Sequence, residues 1–241
     1  MHNRKAGPPA SAAPVVFAIF ILCGSLFGPH TDRLWALGPQ DDAVVAEFWT
    51  ERTVIAFDEG AGGTPKRTPV PIDRLLEEAR YVFSGMIYGF SFAYTPSDTL
   101  RSVEEQFTIE PIAQIPWGDP GLTVMDTREA EDRVFVRIRY FLNDYQDPWI
   151  SMWQSNTLPT NSAFGEAPLY RGPENRIEAI NQGVKQAVRN YLRQRVYNKP
   201  KSITGEVVLQ APPRIVIKAG AYRATVDVKM KFEEVRPYSS F

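Results

Sequence analysis

The amino-acid sequence predicts an α+β fold: two helix-plus-antiparallel-sheet units that follow an N-terminal hydrophobic signal or anchor segment. Three observations carry this expectation. A long amphipathic helix runs from Pro173 to Lys199, strands that alternate apolar and polar residues follow it to near Val235, and the stretch from Ile72 to Leu142 shows the same order of helix and strands in looser form. An internal duplication would explain the similarity of pattern, although little residue identity accompanies it. The chain accordingly divides into a leader (1–30), a first α+β unit (41–142), an aromatic-containing linker (143–172) and a second α+β unit (173–241).

The leader opens with Arg4 and Lys5 and continues into an apolar run from Val15 to Phe27, within the span of about 7–15 residues of a signal h-region. It is either cleaved after export or retained as a membrane anchor. In both cases the positive residues stay inside and the body faces outward. Cys23 follows the large Leu22, where a lipidation signal places a small residue.

Both histidines, His2 and His30, and the only cysteine, Cys23, lie in this leader. The body therefore has no histidine-based triad, cysteine nucleophile, thiol redox pair or ordinary zinc site. A formal charge of −1 produces no overall field to draw in nucleic acid. The loop from Gly60 to Pro69 fails as a phosphate-binding loop, because Pro65 stands at the second glycine and Arg67 at the Ser/Thr position. No cofactor and no metal are expected.

The first unit begins with a strand at Thr53–Phe57. Its helix, Ile72–Ile87, places Leu75, Leu76, Ala79, Phe83 and Met86 on one stripe, with Glu77, Glu78 and Arg80 on the remaining faces. Extended segments follow at Phe90–Tyr94, Val103–Ile115, Leu122–Met125 and Arg133–Leu142. In the last of these Val134, Val136, Ile138, Tyr140 and Leu142 alternate with polar positions. The main helix buries Ile177, Ile180, Val184, Ala187, Val188, Tyr191, Leu192 and Val196. Pro200 stops it, after Arg193, Arg195 and Lys199 have complemented its dipole. Strands at Ile203–Leu209, Arg214–Ala219 and Tyr222–Glu233 complete the second unit.

Two features suggest an interaction surface. Lys185, Arg189 and Arg193 recur at every fourth residue as a basic ridge, which either rests on anionic headgroups or is the wet face of the helix. Tyr145, Trp149 and Trp153 lie in the linker, where they either form an exposed recognition surface or plug the end of a sheet. The carboxylates Glu104, Glu105, Glu129, Glu131 and Asp132 read as solvated turns, and Asn143, Asp144 and Asp147 miss the EF-hand spacing.

These features lead to the expectation of a non-enzymatic, exported or membrane-anchored protein of a bacterial envelope that acts by binding or assembly. Its partners would be the membrane, through the N-terminal segment, and an envelope protein or glycan, with no role for nucleic acid. The alternative is a carrier of an apolar small ligand or lipid, with a helix-on-sheet pocket lined by Phe90, Phe92, Phe107 and Tyr140.

Overall fold

A computed structural model of the chain describes residues 42–57, 65–69, 72–195 and 199–238. The chain divides into two units, Met1–Arg33 and Leu34–Phe241. The leader lies outside the described residues, as does Val196 of the main helix.

Among the described residues the body is mixed α+β with a curled antiparallel sheet and three α-helices. Its elements, in order, are β1 (Ala43–Glu51), β2 (Thr53–Phe57), β3 (Pro65–Pro69), α1 (Ile72–Ile87), β4 (Phe90–Thr95), β5 (Gln106–Pro111), β6 (Leu122–Ala130), β7 (Arg133–Phe141), α2 (Asp147–Trp153), β8 (Thr160–Pro168), α3 (Asn175–Arg195), β9 (Ser202–Leu209), β10 (Arg214–Lys218) and β11 (Ala221–Arg236).

β11 is the axis of the largest sheet. Val228 and Lys229 pair with β8 and also with β9, so those two strands flank β11 on opposite sides. β10 pairs with the first half of β11 on the side away from β8, in line with β9. β4 then pairs with β9, and β5 with β4. A second sheet has the order β1-β7-β6, and β2 pairs with β3 alone. Strands from both halves of the sequence thus share one sheet.

The expected alternation is present in β7 and β11, where Val136, Ile138, Tyr140, Tyr222, Ala224, Val226, Val228 and Met230 are all fully buried. The outer face of the large sheet carries ion pairs such as Arg223–Glu166 and Lys231–Glu206 beside the exposed Phe164 and Val216. One buried face and one wet face are what an antiparallel sheet covered on one side requires.

α1 differs from the expected single stripe: every residue from Val82 through its end at Ile87 is buried. The cause is packing from two directions. Phe48 of β1 meets Phe83 edge-on at 5.7 Å, while Gly85 on the same helix lies against Phe90 of β4 and Leu209 of β9. Glu78, expected on a wet face, is likewise buried. α1 then turns into β4 at Gly89, whose φ is +83° and where a Cβ would approach Val207 O to 2.7 Å. Only glycine fits there.

α3 buries Ala179, Ile180, Val184, Ala187, Val188 and Leu192 against β8 and β11, with Ile177 and Tyr191 half-buried. It crosses β8 at backbone distance, since a Cβ on Gly165 would sit 2.1 Å from the amide nitrogen of Gly183. Gly165→Ala must therefore push the helix off the strand. It is expected to cost about 2 kcal/mol or more, read as a lower midpoint in urea unfolding.

The segment 143–172 is more ordered than a linker. It contains α2, and β8 pairs along β11 from Pro168 to Thr160. Its Asn, Pro and Ser content masked both elements, because β8 (TNSAFGEAP) carries few of the β-branched residues that mark a strand.

Candidate functional site

The last turns of α3, the loop after it and the connection from β4 to β5 enclose a recess of about 250 Å³ lined by Tyr94, Glu105, Arg189, Arg193, Lys199 and apolar neighbours. Glu105 is its centre. Lys185 Nζ lies 2.7 Å from one carboxylate oxygen and Arg189 Nη1 3.8 Å from the other. Tyr94 donates its hydroxyl to the same carboxylate at 2.9 Å. Burial works against the charged form of Glu105, but hydrogen bonds from Lys185 and Tyr94 and the charges of Lys185 and Arg189 hold its carboxyl below the usual range. Burial, followed by the hydrogen bond to Glu105, pushes the Tyr94 phenol up to about 12, so it remains a donor at neutral pH. Lys199 Nζ donates to Ser97 O at 2.8 Å.

The structure thus draws Lys185, Arg189 and Arg193 into one site with Glu105. In the sequence alone Glu105 reads as part of a solvated turn, and nothing there gives Tyr94 this role. The available signal was the spacing of Val103, Glu105, Phe107 and Ile109, which shared a face with apolar residues.

The aromatic segment is split in its exposure. Trp149 and Trp153 are neighbours at i and i+4 on α2. Trp153 is 5% exposed and donates its Nε1 to Tyr88 O at 3.3 Å, and Lys229 donates to its carbonyl at 2.8 Å. Trp149 is half-buried, edge-on to Tyr88 at 5.8 Å. Gln146 joins this plug by donating to the hydroxyls of Tyr88 and Tyr140 at 2.8 and 3.0 Å. Tyr145 is 59% exposed. Three other large apolar residues are exposed: Phe141, which pairs with Ala43 where the chain enters β1, and Val124 and Met125, which lie on β6 at a register shift.

A third cluster lies between the helices. Arg176 of α3 grips Glu78 of α1 with two hydrogen bonds of 2.6 and 3.2 Å, both side chains being almost wholly buried. The guanidinium carbon sits 4.5 Å from the centre of the Trp49 ring and 5.5 Å from that of Tyr222. Tyr222 donates to Glu51 at 3.2 Å. Arg74 and Glu174 form a second, outer ion pair between the same segments.

Of the pocket proposed for a carrier, Phe90, Phe92 and Tyr140 are buried. Phe92 and Phe107 stack with centroids 6.1 Å apart. A separate recess of about 300 Å³ lies beside Met86, Ile150, Trp153 and Leu209. Among the described residues, no cluster of His, Cys, Asp and Glu could hold a metal ion.

The class defined by these features is an α+β body with a curled antiparallel sheet, a cationic recess and an aromatic end. A protein-family model matches residues 35–238. An uncharacterized protein of Treponema pallidum (strain Nichols) is 30% identical over 231 residues, which cover 92% of this chain and 95% of that protein. The chain belongs to the family these matches define. No solved structure matches it.

Glu78→Gln leaves Arg176 as an uncompensated buried charge and is expected to cost about 3–5 kcal/mol, whereas Glu78→Leu combined with Arg176→Met is expected to be close to neutral; chemical unfolding of both variants checks this contrast. Because the carboxyl of Glu105 is depressed in the fold, its contribution is present above the ordinary value of 4.5 and is lost as pH falls through the lower folded value. Glu105→Gln should therefore flatten the loss of stability between about pH 5 and pH 3, measured by thermal melts across that range.

Proposed function

We propose that this is a non-enzymatic protein of the cell envelope, exported and either anchored by its N-terminal segment or released into a periplasm-like space, and that it works by binding a protein or glycan partner. The observation that carries this reading is the exposure of large apolar side chains around the β6–β7 strands and the segment after them: Tyr145, Phe141 at the last residue of β7, and Val124 and Met125 on β6, each 42–59% exposed. Exposed aromatic and methionine side chains are enriched in interface cores. The leader, whose composition is that of an export signal, supports the address. Among the described residues no helix is long and apolar enough to cross a membrane, so an anchor on this reading is the leader itself.

The internal duplication belongs to the same proposal. It is supported by β4 and β9, each the first strand after a long helix, which pair antiparallel through Phe92 and Gly205 as a local two-fold would place them. A carrier of an apolar ligand would use the recess beside Trp153 instead.

Carbonate extraction of native membranes is expected to leave the protein in the pellet, and its release would refute a retained anchor. Crosslinking in intact cells should recover a partner with the parent chain and lose it with Tyr145→Ala plus Met125→Ser. That variant should keep its stability within about 0.5 kcal/mol. Trp153→Ala, by contrast, should cost about 3–5 kcal/mol. Undiminished capture by the Tyr145/Met125 variant would sink the proposed surface.

A further inference from the structure

We propose that the recess between α3 and the β4–β5 connection is a binding site for a phosphate-bearing ligand, held by Arg189, Arg193 and Lys199. It rests on a different part of the molecule from the exposed apolar side chains and stands or falls separately.

Charge is the first reason. Three cations, Arg189, Arg193 and Lys199, line the recess with one carboxylate, Glu105, and Lys185 pairs with that carboxylate from outside the lining, as Arg189 does within it. The surplus is three positive charges. Arg193 has no ion-pair partner among the described residues, and the ammonium of Lys199 is held over the recess by a neutral carbonyl, Ser97 O.

Pairing with Glu105 accounts for Lys185 and Arg189 but not for Arg193 and Lys199, which line the recess without a carboxylate of their own. Lys185, Arg189 and Arg193 stand on successive turns of α3, where like charges at i and i+4 repel by a few tenths of a kcal/mol per pair. The helix dipole rewards cations within the last turn only, and there Arg193 and Arg195 already serve. Lys185 and Arg189 lie before that turn, and Lys199 lies beyond the helix end at Arg195. A site that repels itself when empty is relieved by an anion.

The second reason is shape. The recess of about 250 Å³ would hold on the order of eight waters at about 30 Å³ each, enough for a phosphoryl group and part of what it is attached to. Tyr94, Pro96, Leu192, Pro200 and Ile203 form its apolar walls. They lower the local dielectric and suit a glycerol or sugar carbon skeleton. Arginine forks match both carboxylate and phosphate. A surplus of three charges selects between them, because a carboxylate cancels one while a phosphate monoester at neutral pH carries about −1.5 to −2. A free phosphorylated metabolite presents this charge, whereas the phosphodiester of a phospholipid headgroup carries a single charge and would be held by the arginine forks alone.

The test titrates the full chain, in a nonionic detergent and dilute chloride buffer, with inorganic phosphate, glycerol 3-phosphate, glycerophosphoglycerol and succinate by calorimetry. One-to-one saturation by at least one of the three phosphate probes, with Kd of about 1 mM or below, is expected. Tightest binding of glycerol 3-phosphate or phosphate assigns the site to a free phosphomonoester, and tightest binding of the diester assigns it to a lipid headgroup. Arg193→Ala with Lys199→Ala should weaken the binding about tenfold or more with the melting temperature retained. Glu105→Gln should strengthen it about threefold by removing the opposing charge, a gain that a purely structural carboxylate would not produce. The proposal is overturned if no phosphate probe saturates below about 10 mM, if succinate binds as tightly as the phosphate probes, or if the double variant binds as the parent does.

Discussion

The buried pair between Glu78 and Arg176 fixes how the two long helices meet, although an apolar pair of similar volume would match its stability. The ion pair joins α1 to α3 through two residues that lie 98 positions apart in sequence. Removing two charges from water costs several kcal/mol per ion, and a bare Coulombic contact does not recover it. Here a bidentate geometry and two aromatic faces, Trp49 and Tyr222, set around the guanidinium offset part of the cost, while Nη1 of Arg176 is buried without a hydrogen-bond partner. Those rings come from β1 and β11, so the pair draws one strand of each main sheet against the two helices. A register error in either strand would leave the arginine buried without its setting. The pair therefore penalises alternative packings more than it stabilises the native one.

With the helices locked together, the geometry of the sheet follows. α3 reaches backbone contact with β8 at Gly165 and Gly183, while α1 is wedged between the two sheets and lies next to β4 through Gly85 and Phe90. β4 is consequently buried on one face along its length, at Phe90, Phe92 and Tyr94. This is the strand on which both surface features of interest depend. The aromatic plug closes over its start, where Trp153 donates to Tyr88 O and lies against Gly89. The cationic recess opens at its end, where Tyr94 and Ser97 line the wall.

Much of this was legible where one physical signal dominated. Ile72–Ile87 was read at its observed bounds because proline, apolar periodicity and a following glycine agree there, and β7 and β11 were read because alternation persists over many residues. The misreadings share a cause. Glu78 and Arg176 are charged, and a local reading puts charges on wet faces; only a partner distant in sequence makes their burial tolerable. β1 alternates Val44, Ala46, Phe48 and Thr50 toward the core, but alanine and threonine weaken the pattern. β8 is short of strand formers and is held by pairing along β11 and by contact with α3. Of the candidate surface residues, the basic ridge was visible as spacing, whereas its convergence on Glu105 and Lys199 depends on loops whose path no periodicity describes.

The positions of the two surface features bear on how they can be separated. The plug and the recess lie at opposite ends of β4, and from Phe90 to Thr95 the strand spans about 17 Å. Side chains more than about 7–10 Å apart with no shared partner usually act additively, and neither feature contributes a residue to the other. A change confined to the recess should thus leave the aromatic end as it was, and the reverse holds for exposed positions such as Tyr145. Trp153 is the exception: it packs on Gly89, and its loss would reach the start of β4 and hence the alignment of Tyr94 with Glu105. An experiment that removes Trp153 confounds binding with folding, whereas one that removes Tyr145 or Arg193 does not. The exposed members of each cluster are thus the informative ones, and the buried members explain why the clusters stand where they do.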